Sequence, residues 1–220
     1  PAVYKLIAAT GHQNPNKRMY AVTALGRIGD KRALDRIHFM VQHDQYPLAR
    51  IAAVRALFAF GDNSAGKFIT TYVDHDTIEV RRYAIITLGV IGFVEAVPLL
   101  RARITKNKDN PEANAYLERH PGALCDIATS LNRLGDDSGL PIIAMLSREK
   151  EPAIRVLAVQ ALTHFKGELA VIYLAAALTD PNTSISDIAY NNLFKRRAEV
   201  IPIVQKAYLS KDTPEELKQL

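Results

Sequence analysis

A short motif returns along this chain at a nearly constant interval, and this regularity limits the possible folds more than any other feature. Residues 24–30 read ALGRIGD, and related strings follow at intervals of 31 or 32 residues, with one longer interval of 43. A period near 31 residues is the length of one helical hairpin, which is the unit of an α-solenoid. Six marker positions define the register: Gly29, Gly61, Gly92, Gly135, Lys166 and Arg197.

Each repeat carries the core pattern of two antiparallel helices. A mostly small apolar residue lies eight positions before the marker, and Leu lies four positions before it, so both fall on one face of a first helix. Pro stands fourteen positions before four of the markers, where a helix begins, and the marker glycine suits a helix end. A second apolar set, as in residues 33–41 and 170–178, predicts the second helix. The two core columns are Ala21, Ala53, Ala84, Ile127, Ala158 and Ala189, and Leu25, Leu57, Leu88, Leu131, Leu162 and Leu193.

The strings at residues 24–33 and 87–100 resemble the short bacterial HEAT repeats of the kind found in phycobilin lyases. The resemblance covers essentially the whole chain. It implies an all-α fold, a right-handed α-α superhelix (solenoid) of about six HEAT-like helical hairpins. Because the motif consists of core and turn residues, it is specific for architecture and not for activity.

The register predicts a single α-solenoid domain over residues 1–220. Since the apolar pattern of residues 2–9 matches a second helix, we expect the chain to open inside a repeat, with something missing upstream. The last repeat is polar and divergent, and residues 213–216 (TPEE) predict a capping helix. The predicted segments are a half repeat at 1–13, repeats at about 14–45, 46–76, 77–105, 120–150, 151–181 and 182–210, an insertion at 106–119 and a cap at 211–220.

Composition supports a soluble domain without defining its task. The chain has 220 residues, a mean hydropathy of −0.04 and no apolar run of the roughly 18 residues that span a membrane. Its single cysteine, Cys125, excludes an internal disulfide and is expected to be a small core residue. A cytoplasmic location is favoured, and export stays open because the chain begins inside a repeat.

The second helices offer a candidate binding surface on the side opposite their core stripe. From the third repeat onward this side is almost free of charge, and the HEAT resemblance would place it on the concave face. The alternative is a tightly curved superhelix in which these residues pack against one another. The candidate partner-binding residues are Phe39, Met145, Ile172 and Ile203, rimmed by Lys67, Arg101 and Arg148, with Lys206 as a further rim residue. In the insertion, Tyr116 and Leu117 are candidate partner contacts, or part of a tolerated surface elaboration.

Two other recurrent features have structural explanations that we favour. Arg18, Arg50, Arg81 and Arg155 share one column, eleven positions before the marker. They could track phosphates, but a ladder that ties loops to helices through carboxylate or carbonyl hydrogen bonds is the better interpretation. The matching pairs at residues 43–44 and 75–76 (HD) suggest a metal site, but loop-edge solvation is favoured and no metal is expected.

The sequence therefore predicts a non-catalytic scaffold that binds another protein through the concave face, with no cofactor. A bilin lyase or lyase-like chaperone is the alternative, implied only by the family resemblance. A weak nucleic-acid binder is third, suggested by a net charge of +5 and a pI near 9.3. The absence of a His-Glu dipeptide disfavours the iron-binding HEAT-like hydroxylases, and the absence of Trp weakens any resemblance to HEAT-like DNA glycosylases.

Overall fold

The computed structural model describes residues 2–104 and 120–209, which form thirteen α-helices and no strand. The all-α prediction is confirmed. In chain order the helices are α1 (Ala2–Ala9), α2 (Pro15–Ile28), α3 (Leu34–His43), α4 (Pro47–Ala59), α5 (Gly66–Thr70), α6 (Ile78–Ile91), α7 (Val97–Ile104), α8 (Pro121–Arg133), α9 (Leu140–Leu146), α10 (Pro152–Leu162), α11 (Glu168–Ala176), α12 (Thr183–Lys195) and α13 (Arg197–Leu209).

The helices divide into two compact units, with the boundary between Leu99 and Leu100. In the first unit, the first helices α2, α4 and α6 pack in succession, and the second helices α3 and α5 each contact the first helix of the next repeat. In the second unit, α8, α10 and α12 pack in succession, and α9 and α11 make the equivalent contacts. Each unit is thus a stack of two-helix repeats. A single domain over residues 1–220 stays a prediction.

The helix ends use the residues that the repeat pattern indicates. Pro lies in the first turn of α2, α4, α8 and α10. Gly29 ends α2 with a φ of 72°, and its N–H donates to the carbonyl of Leu25 at 3.1 Å. Gly92 ends α6 in the same left-handed conformation, with a φ of 71°. Because a side chain disfavours this conformation, glycine is the residue that ends the helix with least strain.

The fifth and sixth turns differ from the predicted register. The left-handed residue after α10 is Gly167, with a φ of 88°, and not the marker Lys166. Phe165 is only 1% exposed, so the turn inserts a buried aromatic side chain before the chain reverses. After α12 the chain passes through Arg196, with a φ of −97°, directly into α13. The Arg196 side chain bonds Glu199 and Asn192, and no left-handed residue is needed.

The predicted core columns form the interior of the repeats. All twelve residues of the two columns are buried, and Ile37, Met40 and Leu174 of the second helices are buried beside them. Full burial of one leucine side chain contributes about 1.5 to 3 kcal/mol. The first helices approach closely: a Cβ placed on Gly26 of α2 would lie 2.7 Å from the Cβ of Ala56 in α4. Small residues at the helix contact therefore set the spacing between repeats.

Two predicted segments lie outside the described residues: the insertion at 106–119, with Tyr116 and Leu117, and the cap at 211–220. Within the part of the chain that the structure describes, every helix is too short or too polar to cross a membrane.

Candidate functional site

Met145 marks a helix that is apolar on two sides. On α9, Leu140, Ile143, Ala144 and Leu146 are buried in the repeat core, whereas the Met145 side chain is 53% exposed. An amphipathic helix normally presents polar residues opposite its buried stripe. The exposed side of α9 therefore offers an apolar contact that the described residues leave open to solvent.

Ile172 on α11 and Ile203 on α13 are half-buried, so this side becomes less exposed in the two following repeats. Pro141 on α9 and Ala102 on α7 are exposed. The second unit therefore has an apolar surface on its second helices on which Met145 is exposed and Ile172 and Ile203 are half-buried. We call it the second-helix surface, and its residues are Arg101, Met145, Arg148, Ile172 and Ile203.

The two arginines of the second-helix surface are held by neighbouring side chains. The guanidinium carbon of Arg148 lies 5.7 Å from the ring centroid of Tyr173 on α11. This contact joins two successive repeats. Arg101 donates to the carboxylate of Asp136, a buried residue that also accepts from the backbone N–H of Ser138. Burial disfavours the charge on Asp136, but the hydrogen bonds from Ser138 and Arg101 outweigh it and lower its pKa. Arg101 is thus partly a structural residue.

The first unit contains the other two predicted contact residues, in different surroundings. Phe39 on α3 is 49% exposed and packs beside the rings and guanidinium groups of its own helix, with His43 at 4.6 Å and Arg36 at 4.9 Å. Lys67 is exposed on the five-residue helix α5. Phe39 therefore has an aromatic and a cationic neighbour on its own helix, whereas Lys67 is an exposed side chain on a short helix.

A cavity of about 300 Å³ lies beside Phe39, between the loop at residues 10–13, helix α3 and the loop at residues 44–45. Arg18, Arg36 and Asp44 supply its charged lining, and Thr10 and His12 lie on the loop side. Sequence reasoning missed this cavity because Thr10 and His12 lie in the leading half repeat, outside the six full copies that define the columns. Arg36 occupies a repeat position that is aromatic or aliphatic in all later repeats. The arginine at this otherwise apolar position was the one sequence signal that pointed to the cavity.

The arginine column forms the structural ladder that the sequence predicts. Arg18 donates to Asp44 at 2.7 and 2.8 Å, and Arg155 donates to Asp180 at 2.7 and 2.9 Å. Both also donate to two carbonyls of the preceding loop. Arg50 bonds the carbonyl of Val41, and Arg81 bonds carbonyls of residues 75 and 76.

The acidic partners of Arg18 and Arg155 lie in the next inter-repeat loop, which follows α3 for Asp44 and α11 for Asp180. Asp76 and Glu149 lie five and six positions upstream of their arginines and serve as carbonyl acceptors. The stacking of successive repeats brings the loop of Asp44 next to Arg18 and the loop of Asp180 next to Arg155. The spacing of residues along the sequence does not show which loops are stacked.

The remaining candidates occupy ordinary positions. Cys125 is buried in α8, as predicted for a core residue. His43 is exposed, and His75 accepts a hydrogen bond from the N–H of Thr77 through Nδ1. Over residues 2–104 and 120–209, no three His, Cys, Asp or Glu side chains lie close enough together to hold a metal ion.

Stacked two-helix repeats with buried Ala and Leu columns define the class of α-α repeat proteins. Within this class, residues 3–79 match the family described as HEAT repeats, which confirms the HEAT resemblance for that part of the chain. No curated protein matches the sequence.

Several solved structures have a similar architecture. The complex of CpcE and CpcF of phycocyanin lyase from Nostoc sp. PCC7120 is 17% identical, with 91% of each chain covered and a TM-score of 0.49. A designed armadillo repeat protein in complex with the peptide (KR)4 is 13% identical, with 86% of this chain and 97% of that chain covered and a TM-score of 0.45. Human deoxyhypusine hydroxylase in complex with glycerol is 18% identical, with 90% and 85% covered and a TM-score of 0.33. At these values the similarities carry no information about activity.

Proposed function

We propose that this protein is a non-catalytic scaffold that binds another protein through its second-helix surface. Met145, Ile172 and Ile203 supply apolar contacts, and Arg101 and Arg148 supply charge at the rim. Phe39 and Lys67 are further candidate contacts on the first unit. The observation that carries the proposal is the 53% exposure of Met145 on a helix whose other side is buried in the core.

The chemistry of these residues suits a protein partner. Methionine is flexible and polarisable, so it adapts to an irregular apolar surface. Methionine, arginine and aromatic residues are enriched at the centre of protein interfaces, where a few side chains supply most of the binding energy. Tyr173 holds the guanidinium of Arg148 in place, so less side-chain entropy is lost when a partner binds.

A nucleic-acid partner has weaker support. Binding to phosphates depends on cations that release counterions, and Arg18 and Arg155 are each paired with an aspartate. The second-helix surface presents Met145, Ile172 and Ile203 where phosphate recognition would need cations. A bilin lyase or lyase-like chaperone stays the alternative, and no described contact favours it.

The test compares three immobilised proteins: the wild type, Met145→Asp and Ile201→Asp. Ile201 is the matched control because it is 51% exposed on α13 and lies outside the second-helix surface. Proteins captured from a lysate of the source organism are identified by mass spectrometry, and each candidate is then purified for titration calorimetry.

We expect a partner that binds the wild type and Ile201→Asp, and that binds Met145→Asp at least about tenfold more weakly. A carboxylate on the exposed face must be desolvated in the interface without a partner charge, which disfavours binding. Equal affinity of a purified partner for wild type and Met145→Asp would contradict the proposed surface.

A further inference from the structure

The cavity beside Phe39 is an open depression whose size suits one small chemical group. Its volume of about 300 Å³ is at the lower end of the range of ligand pockets. Its walls come from the loop at residues 10–13, from α3 and from the loop at residues 44–45, all within the first unit. A single side chain or a fragment of similar size would fill it.

The charges that line the cavity leave one cation uncompensated. Asp44 accepts from Arg18 on both oxygens and from the backbone N–H of Tyr46, so its charge is balanced by Arg18. Arg36 has no carboxylate within ion-pair distance among the described residues. Burial raises the pKa of Asp44, but the hydrogen bonds from Arg18 and Tyr46 outweigh it and lower the pKa, and the nearby positive charge of Arg36 lowers it further. The cavity therefore carries a net positive charge centred on Arg36.

The guanidinium of Arg36 is held in position by one residue. Its Nε donates to Thr10 Oγ1 at 2.6 Å, and one Nη2 hydrogen donates to the Thr10 carbonyl at 2.9 Å. Thr10 is fully buried and donates in turn to the carbonyl of Ile7 at 2.6 Å. The Nη1 atom of Arg36 has no acceptor among the residues that the structure describes, which leaves the outer edge of the fork for a ligand.

Phe39 and His43 form the aromatic side of the same site. The guanidinium carbon of Arg36 lies 4.9 Å from the Phe39 ring centroid, and the Phe39 and His43 rings lie 4.6 Å apart. A ligand that reaches Arg36 would lay its aliphatic part against the Phe39 ring. A planar guanidinium with two N–H groups directed the same way matches the geometry of a carboxylate.

We propose that this cavity binds a carboxylate group, with Arg36 Nη1 as the donor and the Phe39 ring as the wall for the adjoining methylene groups. The inference rests on the proposed function in one respect: a partner protein supplies the carboxylate, from an Asp or Glu side chain or from its C-terminus. The cavity can nevertheless be tested without any partner.

The test is an NMR titration of the ¹⁵N-labelled protein with N-acetyl-glutamate N-methylamide. We expect saturable shifts at the backbone amides of Gly11, His12 and Arg36 and at Arg36 Nε. The glutamine analogue should produce none.

Further titrations with N-acetyl-leucine and with glutarate compare a C-terminal carboxylate and a free dicarboxylate with the side-chain form. Tighter binding of glutarate than of both peptide-like probes would overturn a partner protein as the source, and tighter binding of inorganic phosphate would overturn the carboxylate class.

Two variants and one control make the assignment specific. Arg36→Gln should abolish the shifts. Phe39→Glu leaves the bonds from Arg36 to Thr10 in place and offers Arg36 an internal carboxylate, so it should weaken the probe at least about fivefold. Arg55→Gln removes an exposed arginine of α4 outside the cavity and should leave the titration unchanged. Undiminished shifts in Arg36→Gln or in Phe39→Glu would overturn the site.

The two proposals fail separately. If Met145→Asp loses the partner and the probe does not bind, the scaffold stands and the cavity proposal is wrong. If the probe binds as described but partner affinity is unchanged in Met145→Asp, the carboxylate site stands and the proposed second-helix surface is wrong.

Discussion

Arg18 and Asp44, which are 26 residues apart in sequence, form a bidentate ion pair that joins two successive inter-repeat loops. Their side chains are 17% and 4% exposed, so the pair is largely removed from water. Arg18 also donates to the carbonyls of His12 and Gln13 at 3.0 Å. One guanidinium group thus connects the loop before α2 with the loop after α3. Arg155 and Asp180 repeat the arrangement in the second unit.

The first prediction is that Asp44→Asn lowers the free energy of unfolding of the protein by about 3 kcal/mol. Removing one member of a buried pair leaves the other charge without compensation, and such changes lower stability by about 3 to 5 kcal/mol. The residual exposure of Arg18 places the expected value at the lower end. Urea denaturation followed by circular dichroism measures it. Asp35→Asn on the exposed side of α3 is the control, with an expected change below about 1 kcal/mol. Equal effects of the two substitutions would contradict a structural role for the pair.

The second prediction concerns pH. Hydrogen bonds from Arg155 hold the pKa of Asp180 below its usual value, and those from Arg196 do the same for Glu199. A carboxylate whose pKa is lower in the folded state stabilises the fold above its unfolded pKa of about 4 and loses that contribution as the pH falls further. The melting temperature should therefore fall between pH 5 and pH 3. Asp180→Asn should melt lower at pH 7 and lose less on acidification, and an acid profile parallel to the wild type would refute the assignment.

The third prediction tests the repeat register. Leu88 is fully buried in α6, and Leu88→Ala should lower the free energy of unfolding by about 2 to 5 kcal/mol, because it leaves a cavity in the core. Val90→Ala, two residues along the same helix at an exposed position, should change it by less than about 0.5 kcal/mol. Chemical denaturation of both variants provides the comparison. A wild-type midpoint for Leu88→Ala would show that the core columns are wrongly placed.

The fourth prediction tests the close approach of two first helices. Gly26→Ala would bring a methyl group against Ala56 of α4, including its backbone, so the helices must separate. Overpacking of this kind lowers stability by about 1 to 3 kcal/mol. Gly122→Ala in the first turn of α8 meets only the tip of Leu157 at 3.9 Å and should be neutral or stabilising by up to about 1 kcal/mol. Thermal melts of the pair decide the point, and a stabilised Gly26→Ala protein would exclude the close contact.

The sequence predicts the repeats well because core residues and turn glycines follow from the geometry of a single helix and its ends. The Ala and Leu columns are buried, and helices begin at Pro15 and end at Gly29 as the spacing indicates. Local patterns of this kind depend only on helical geometry and on the backbone freedom of glycine. They do not depend on how one repeat sits on the next.

The sequence does not predict the features that arise between repeats. Asp44 and Asp180 reach Arg18 and Arg155 only when successive loops are stacked, so the acidic partners are on the side that linear spacing does not reveal. The left-handed turn after α10 lies at Gly167, two residues after the buried Phe165, and the periodic marker at Lys166 does not indicate this position. The cavity beside Phe39 depends on two neighbouring loops that meet at α3, and the sequence marks it only through Arg36, which departs from an otherwise apolar column.

The most direct test of the binding scaffold is the combined measurement of melting temperature and partner affinity on one Ile172→Asp sample. Ile172 is half-buried on the second-helix surface, and Ile143→Asp is the control because Ile143 is fully buried in the core. We expect Ile143→Asp to collapse the fold, whereas Ile172→Asp should melt within a few degrees of the wild type and bind the captured partner at least about tenfold more weakly. A melting temperature for Ile172→Asp as low as that of Ile143→Asp, or an unchanged melt with unchanged affinity, would contradict the proposed binding scaffold.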